Sequence, residues 1–163
     1  TILKDWYTLN INEVTWLSML PPLLAIIGVV FIGWNSDRLR ERRWHTLVPV
    51  SLSLVALALA PFTRGSSSYV LTIVCFMIVA AGLKSYQPAF WSLPSLFLSG
   101  PAAAGSIGLI NSIGNLGGFF GQDMLGKMQT LTHTFVGGLY WLCGLLVVFI
   151  VIIFSLGLGR KEN

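Results

Sequence analysis

Residues 144–159 read "GLLVVFIVIIFSLGLG", with Ser155 the sole polar side chain before Arg160. A strand in a membrane barrel alternates lumen-facing polar and lipid-facing apolar residues, and this run does not alternate. Helices and closed barrels are the two ways for a backbone to cross lipid with every hydrogen bond satisfied, so the run is a transmembrane helix. Followed outward, it extends over about 135–158, enough at about 1.5 Å per residue to cross about 30 Å of hydrocarbon. Four more stretches meet or approach that length, at about 15–34, 46–62, 69–91 and 98–121. Asn12 or Thr15 is a plausible N-cap for the first. The expected fold is all-α, a polytopic membrane bundle of five transmembrane helices over 15–163, preceded by an extracytoplasmic segment at 1–14.

Composition agrees. Of 163 residues 55% are hydrophobic and only 10% charged, against about a quarter charged in a soluble domain. The formal charge of +4 comes from a few loops and a tail, so it describes topology and gives no nucleic-acid surface. Arg38, Arg40, Arg42, Arg43, Arg160 and Lys161 fall on one side of the membrane, and Lys4, Arg64 and Lys127 on the other. The excess of basic residues in cytoplasmic loops then places the Arg-rich loop and the C-terminus in the cytoplasm and the N-terminus outside. Cys75 and Cys143 lie in apolar runs and read as small hydrophobes without a disulfide framework. The opening "TILKDWYTLNINEV" lacks the basic and apolar regions of a signal peptide, and its first residue, Thr1, suggests a chain that begins inside a longer protein.

Three stretches carry candidate chemistry. In "GWNSDRLRERRWH", residues 33–45, Gly33 reads as the helix end, with Asp37, Arg38, Arg42 and Arg43 beyond it. One reading is a solvated basic loop. The other is a clamp in which Asp37 and Arg38 reach across to neighbouring helices, made in one conformation and broken in another. In "GLINSIGNLGGFFG", residues 108–121, Asn111 and Asn115 share a helix face. Gly114 and Gly118, like Gly117 and Gly121, repeat at the four-residue spacing that lets helix backbones approach in lipid. The two amides either hydrogen-bond to an adjacent helix or line an aqueous cavity and meet a substrate. In the preceding span Lys84, Tyr86, Gln87, Trp91 and Ser92 surround Pro88, which removes a backbone bond and bends the helix. Lys84 is the one charged residue within the five expected spans, so it faces the interior or snorkels. Trp91 fits either an interfacial belt or an inward face.

The stretch "PAFWSLPSLFLSGPAAAGSIGLINSIGNLGGFFG", residues 88–121, resembles the tenth and eleventh helices of the anion:cation symporter family within the major facilitator superfamily. Residues 13–45 resemble its eighth helix and following loop, including the superfamily's loop motif, and "TILKD" resembles residues just after the seventh helix. The resemblance covers nearly the whole chain as helices eight to twelve of the C-terminal half, with the first seven helices absent. It implies a proton-coupled symporter of small organic anions, such as sugar acids, tartrate-like dicarboxylates or aromatic carboxylates, in a bacterial inner membrane. Such a protein works by alternating access, with no cofactor beyond a proton or cation gradient, and binds substrate at the midplane between two halves. Carried onto this sequence, the family's polar site residues are Trp91, Ser92, Asn111 and Asn115, with Gln87 and Lys84 beside them. Anion-holding arginines and proton-carrying acids belong mainly to the absent half. One departure is Gly121–Gln122 where the family has Gly-Pro, so the helix is not expected to break sharply there.

An enzyme is not expected. His45 and His133 fall in loops on opposite sides of the membrane, neither with a metal-ligand set. "GLGLG" near the end follows no strand and reads as a helix terminus. The competing class is a structural or assembly membrane protein, or a truncated product without transport of its own.

Overall fold

The computed structural model describes residues 2–7, 9–65, 69–96 and 98–157. Arg160 and Lys161, on which the expected cytoplasmic C-terminus partly rests, lie outside the described residues. Among the described residues eight α-helices follow one another: α1 (Ile2–Trp6), α2 (Ile11–Leu17), α3 (Leu20–Leu39), α4 (Arg43–Leu59), α5 (Val70–Ser85), α6 (Gln87–Ser92), α7 (Gly100–Thr132) and α8 (Val136–Leu156). Short 3₁₀ turns at Ala60–Thr63 and Pro94–Leu96 extend α4 and α6. No strand occurs among the described residues.

Local chemistry sets the boundaries. The N-cap of α2 is Asn10, two residues before the earlier of the expected caps, and the Glu13 carboxylate accepts its backbone N–H at 2.8 Å. Pro residues stand in the first turns of α3, α6 and α7, where a missing N–H costs nothing. α3 does not end at Gly33. It continues to Leu39 and is closed by Arg40 in the left-handed region, φ 50°. Gly33 instead lies against Pro88, whose Cβ would be 3.4 Å from an added Cβ.

Four stretches are long and apolar enough to cross a bilayer among the described residues: Ile11–Leu39, Arg43–Thr63, Val70–Leu96 and Val136–Leu156. The remaining expected span falls in α7, whose 33 residues are ample in length but diluted by Gly, Ser, Asn and Gln. α7 also runs unbroken through Gly121–Gln122, where glutamine keeps the N–H that proline lacks. It thereby takes Asp123 and Lys127, paired at 2.6 Å, into a helix expected to end at about residue 121.

α4 is the centre of the bundle. It packs on α5 and α8, α3 packs on α5, and α7 packs on α8. Val50 and Ala60 are wholly buried, and Ala56 and Leu57 join Val79, Leu139, Cys143 and Trp6 in one apolar cluster. Lipid tails give helices no hydrophobic reason to associate, so close approach at small residues has to hold them. Three glycines provide it. A Cβ on Gly82 would run into the Pro49 carbonyl and Ser53 hydroxyl of α4. One on Gly28 would meet the Ser85 hydroxyl, and one on Gly138 would lie 2.6 Å from Leu125 Cδ1. The Ser53 hydroxyl lies 3.0 Å from the Pro49 carbonyl and 3.2 Å from that of Val79, which ties α4 to α5.

Both ends of the bundle are fastened by side chains. At one end the Tyr7 hydroxyl donates to the Thr63 carbonyl at 2.7 Å and sits 2.7 Å from Thr72 Oγ1, and Arg64 reaches Thr134 at 3.2 Å. At the other end Arg43 donates to the Phe154 carbonyl at 2.6 Å. The N-terminal segment and the end of α8 therefore lie at opposite ends.

Gly82→Ala puts a methyl group against backbone that cannot step aside, so it should destabilise by about 1–3 kcal/mol. Gly114→Ala meets no atom within 4 Å and should be neutral or stabilise by up to about 1 kcal/mol through helix propensity. Thermal or denaturant unfolding in detergent micelles compares them. Equal effects would contradict the α4–α5 crossing.

Candidate functional site

The broken helix α5–α6 carries the first group of site candidates. Tyr86 forms the joint between the two pieces, and Pro88 follows in the first turn of α6. Tyr86, Phe90 and Trp91 stack consecutively, and Phe149 of α8 closes the cluster at ring distances of 5.3 Å to Tyr86 and 5.8 Å to Phe90. Trp91 is half-buried, in edge contact with Phe90 at 5.3 Å. The Ser92 hydroxyl donates to the Ala89 carbonyl of its own turn at 2.8 Å. Gln87 is half-buried. Lys84 is exposed and borders an open groove of about 520 Å³ between α3 and α5, lined by Pro22, Ala25, Ile26, Val29 and Leu83.

Asn111 and Asn115 are exposed on α7, and among the described residues neither amide has a hydrogen-bond partner. α7 meets the turn after α6 near its start and α8 near its end, where Leu125 packs on Gly138 and Met128 approaches Gly137. Between these supports residues 108–120 are exposed on every side. Nothing lies within 4 Å of a Cβ built on Gly114, Gly117, Gly118 or Gly121. The expected small-residue packing on these glycines is therefore not made among the described residues, because α7 stands away from α8 over that stretch. No hydrogen bond among the described residues joins the two asparagines to Lys84, Gln87, Trp91 or Ser92.

The Arg-rich turn is more closely built than a solvated loop, and of the two expected clamp residues Asp37 reaches the N-cap of α4. Asp37 pairs with Arg42, not Arg38. The left-handed Arg40 turns the chain back, which brings residue 42 over the last turn of α3 while Arg38, on the helix, lies 5.3 Å above the Trp34 ring. Ser36 is wholly buried; its hydroxyl donates to the Glu41 carbonyl at 2.8 Å and accepts from Arg42 at 3.0 Å. The Glu41 carboxylate accepts the Trp44 backbone N–H at 2.8 Å and a second bond from His45 Nδ1 at 2.9 Å, which caps α4. His45 Nε2 lies 3.0 Å from the Asn35 amide nitrogen on α3. Arg43, 6% exposed, stacks 4.6 Å above the Phe154 ring and satisfies a carbonyl in the last turn of α8. Thus one polar network joins α3 to α4, and beside it Arg43 fastens α4 to α8.

Sequence reasoning missed Ser36, Glu41, His45, Phe149 and Phe154. The Glu41–His45 pair had a readable signal in its four-residue helical spacing. The two phenylalanines gave none, since their partners are more than fifty residues away. No group of His, Cys, Asp or Glu suited to a metal occurs among the described residues.

Comparison with known proteins places this geometry. The chain is 39% identical, over 162 residues, to a protein named putative tartrate transporter from Agrobacterium vitis, covering 99% of this chain and 36% of that one. It is 35% identical to the putative metabolite transport protein NicT of Pseudomonas putida (96% of this chain, 35% of NicT). It is 34% identical to the inner membrane transport protein RhmT of Escherichia coli (86% and 32%). The chain belongs to the major facilitator superfamily. It spans about a third of the length of these curated relatives. No family model and no solved structure matches it. Its relatives bear transporter names. The turn that resembles the superfamily's loop motif is thus closed by its own hydrogen bonds in this major facilitator superfamily chain, whereas the asparagine face of α7 has no cover among the described residues.

The turn makes a quantitative claim. A double-mutant cycle on Asp37 and Arg42 should return a coupling of about 0.5–1 kcal/mol, and one on Asp37 and Arg38 close to none. Arg43→Gln should cost more, about 1.5–3 kcal/mol, because a charge-assisted bond to α8 is lost. Unfolding midpoints of the single and double variants measure all three. A larger coupling to Arg38 would contradict the Asp37–Arg42 pair.

Proposed function

We propose that this chain is the C-terminal part of a secondary active transporter that carries small organic anions, such as tartrate-like dicarboxylates or sugar acids, by alternating access. The observation that carries this reading is the 39% identity, along essentially the whole chain, to a protein named as a tartrate transporter. In this reading the chain is one of the anion:cation symporters, and a proton or cation gradient drives uptake. The remaining helices, supplied by an N-terminal half, complete the cavity. The Arg-rich turn faces the cytoplasm of a bacterial inner membrane, as the distribution of basic residues favours.

Within that frame the roles follow from chemistry. Asn111 and Asn115 offer amide donors to substrate oxygens from an exposed helix face. Neutral amides orient an anion without holding it too tightly for release. Trp91, Ser92 and Gln87 form the facing wall beside the Pro88 joint, and Lys84 contributes positive charge at its edge. The Asp37–Arg42 pair, with Ser36, Glu41 and Arg43, fastens α3, α4 and α8 in one conformation and yields in the other.

Uptake of labelled tartrate and sugar acids by cells expressing this chain, with and without a complementary N-terminal half, tests the proposal. We expect uptake only with both halves, abolished when the proton gradient is collapsed. Correct insertion with no uptake of any organic anion would refute it. In the assembled transporter, Asn111→Ala or Asn115→Ala should weaken substrate binding roughly tenfold to a hundredfold, the effect of leaving one bound oxygen unpaired at about 1–3 kcal/mol. Unchanged binding with lost thermal stability would make the amides interhelical contacts. Orientation is tested separately: a cysteine at Gly65 should react with an impermeant reagent in intact cells, and one at Arg40 should not.

A further inference from the structure

The turn between α3 and α4 divides its four arginines into two kinds. Arg42 and Arg43 are used internally, on Asp37 and Ser36 and on the α8 carbonyl. The acids are used as well, Asp37 by Arg42 and Glu41 by the α4 backbone and His45. Arg38 and Arg40 are exposed, and no ion pair among the described residues involves either. The outward face of the turn therefore carries two uncompensated guanidinium groups.

Two tryptophans flank them. Trp34 near the end of α3 is 57% exposed and Trp44 at the start of α4 is 54% exposed, each at the end of an apolar stretch long enough to cross a bilayer. The Arg38 guanidinium lies 5.3 Å over the Trp34 ring, which directs the charge along the indole. Indole rings settle at the level of lipid headgroups, and guanidinium groups match phosphate oxygens with paired donors. We propose that Arg38 and Arg40, framed by Trp34 and Trp44, form a contact site for the headgroups of anionic phospholipids. The occupant is lipid and not free phosphate, because the cations are presented on an indole-lined rim at the end of two spans. The site is separate from the asparagine face and does not depend on the substrate assigned above.

The full chain is reconstituted in phosphatidylcholine vesicles containing a minor share of brominated lipid, either phosphatidylglycerol or phosphatidylcholine, and tryptophan quenching is read. Phosphatidylglycerol should be enriched at the turn by roughly fivefold for each guanidinium, giving clear excess quenching that weakens with salt. The excess should disappear in Arg38→Gln/Arg40→Gly and in Trp34→Phe/Trp44→Phe, and persist in Arg64→Gln at the opposite end. Circular dichroism confirms helicity and insertion. Arg40→Gly alone, which also relieves the left-handed backbone, keeps the test open if the double variant does not insert, and it should lose roughly fivefold. Equal quenching by the two lipids overturns the proposal, as does an excess that survives the double variants. Competition by inorganic phosphate beyond that of chloride at the same ionic strength would also overturn it, since the site would then be one for free anions.

Discussion

At Gly82 the backbone of α5 comes against the Pro49 carbonyl of α4, with the Ser53 hydroxyl filling the remaining space. The bundle depends on this contact. In lipid, apolar surface gains nothing by leaving apolar surroundings, so helices associate through dispersion at short range and through hydrogen bonds that have no water to compete for them. Pro49 has no N–H, and its carbonyl takes the Ser53 hydroxyl, so the site that a proline would weaken becomes the site where two helices meet. α3 then reaches the bundle through α5, with Gly28 against Ser85, and α7 reaches it through α8.

The two ends of the bundle are held in different ways. The end bearing Tyr7, Thr63 and Thr72 uses neutral hydroxyls over a buried contact. The opposite end uses charge: Arg43 on the last turn of α8, Glu41 on the first turn of α4, and Arg42 on Asp37. Charged networks repack in discrete steps, and their strength depends on how much water reaches them. The basic turn thus has more internal bonds than a solvated loop requires.

How much of this was legible in the sequence depended on range. Helical character, membrane residence and the shared face of Asn111 and Asn115 follow from period and composition, which are local. Gly33 was misread because a glycine just before a polar run has the appearance of a helix end, whereas its missing Cβ serves an approach to Pro88, 55 residues on. Asp37 and Arg38 were both expected to reach across to neighbouring helices; the left-handed Arg40 brings Arg42 to Asp37, while Arg38 lies over Trp34 of its own helix. The glycine stripe of α7 advertised packing that no helix among the described residues provides. The glycines that do pack, Gly28, Gly82 and Gly138, form no four-residue repeat and are defined by partners on other helices. The asparagine face lacks its counterpart for a similar reason: what covers it is not within these residues.

The geometry of α7 has a mechanical side. Its start meets the turn after α6 and its end is held by Leu125 against Gly138, while residues 108–120 are bare between the two supports, so the helix is a bridge and not a rod packed along its length. Fourteen residues separate Leu125 from Asn111, about 21 Å of helix, and a rotation of about 10° about the Leu125 contact would carry that amide about 4 Å sideways. A repacking at the α7–α8 hairpin would therefore be felt far along the helix unless the contact near its start resisted it.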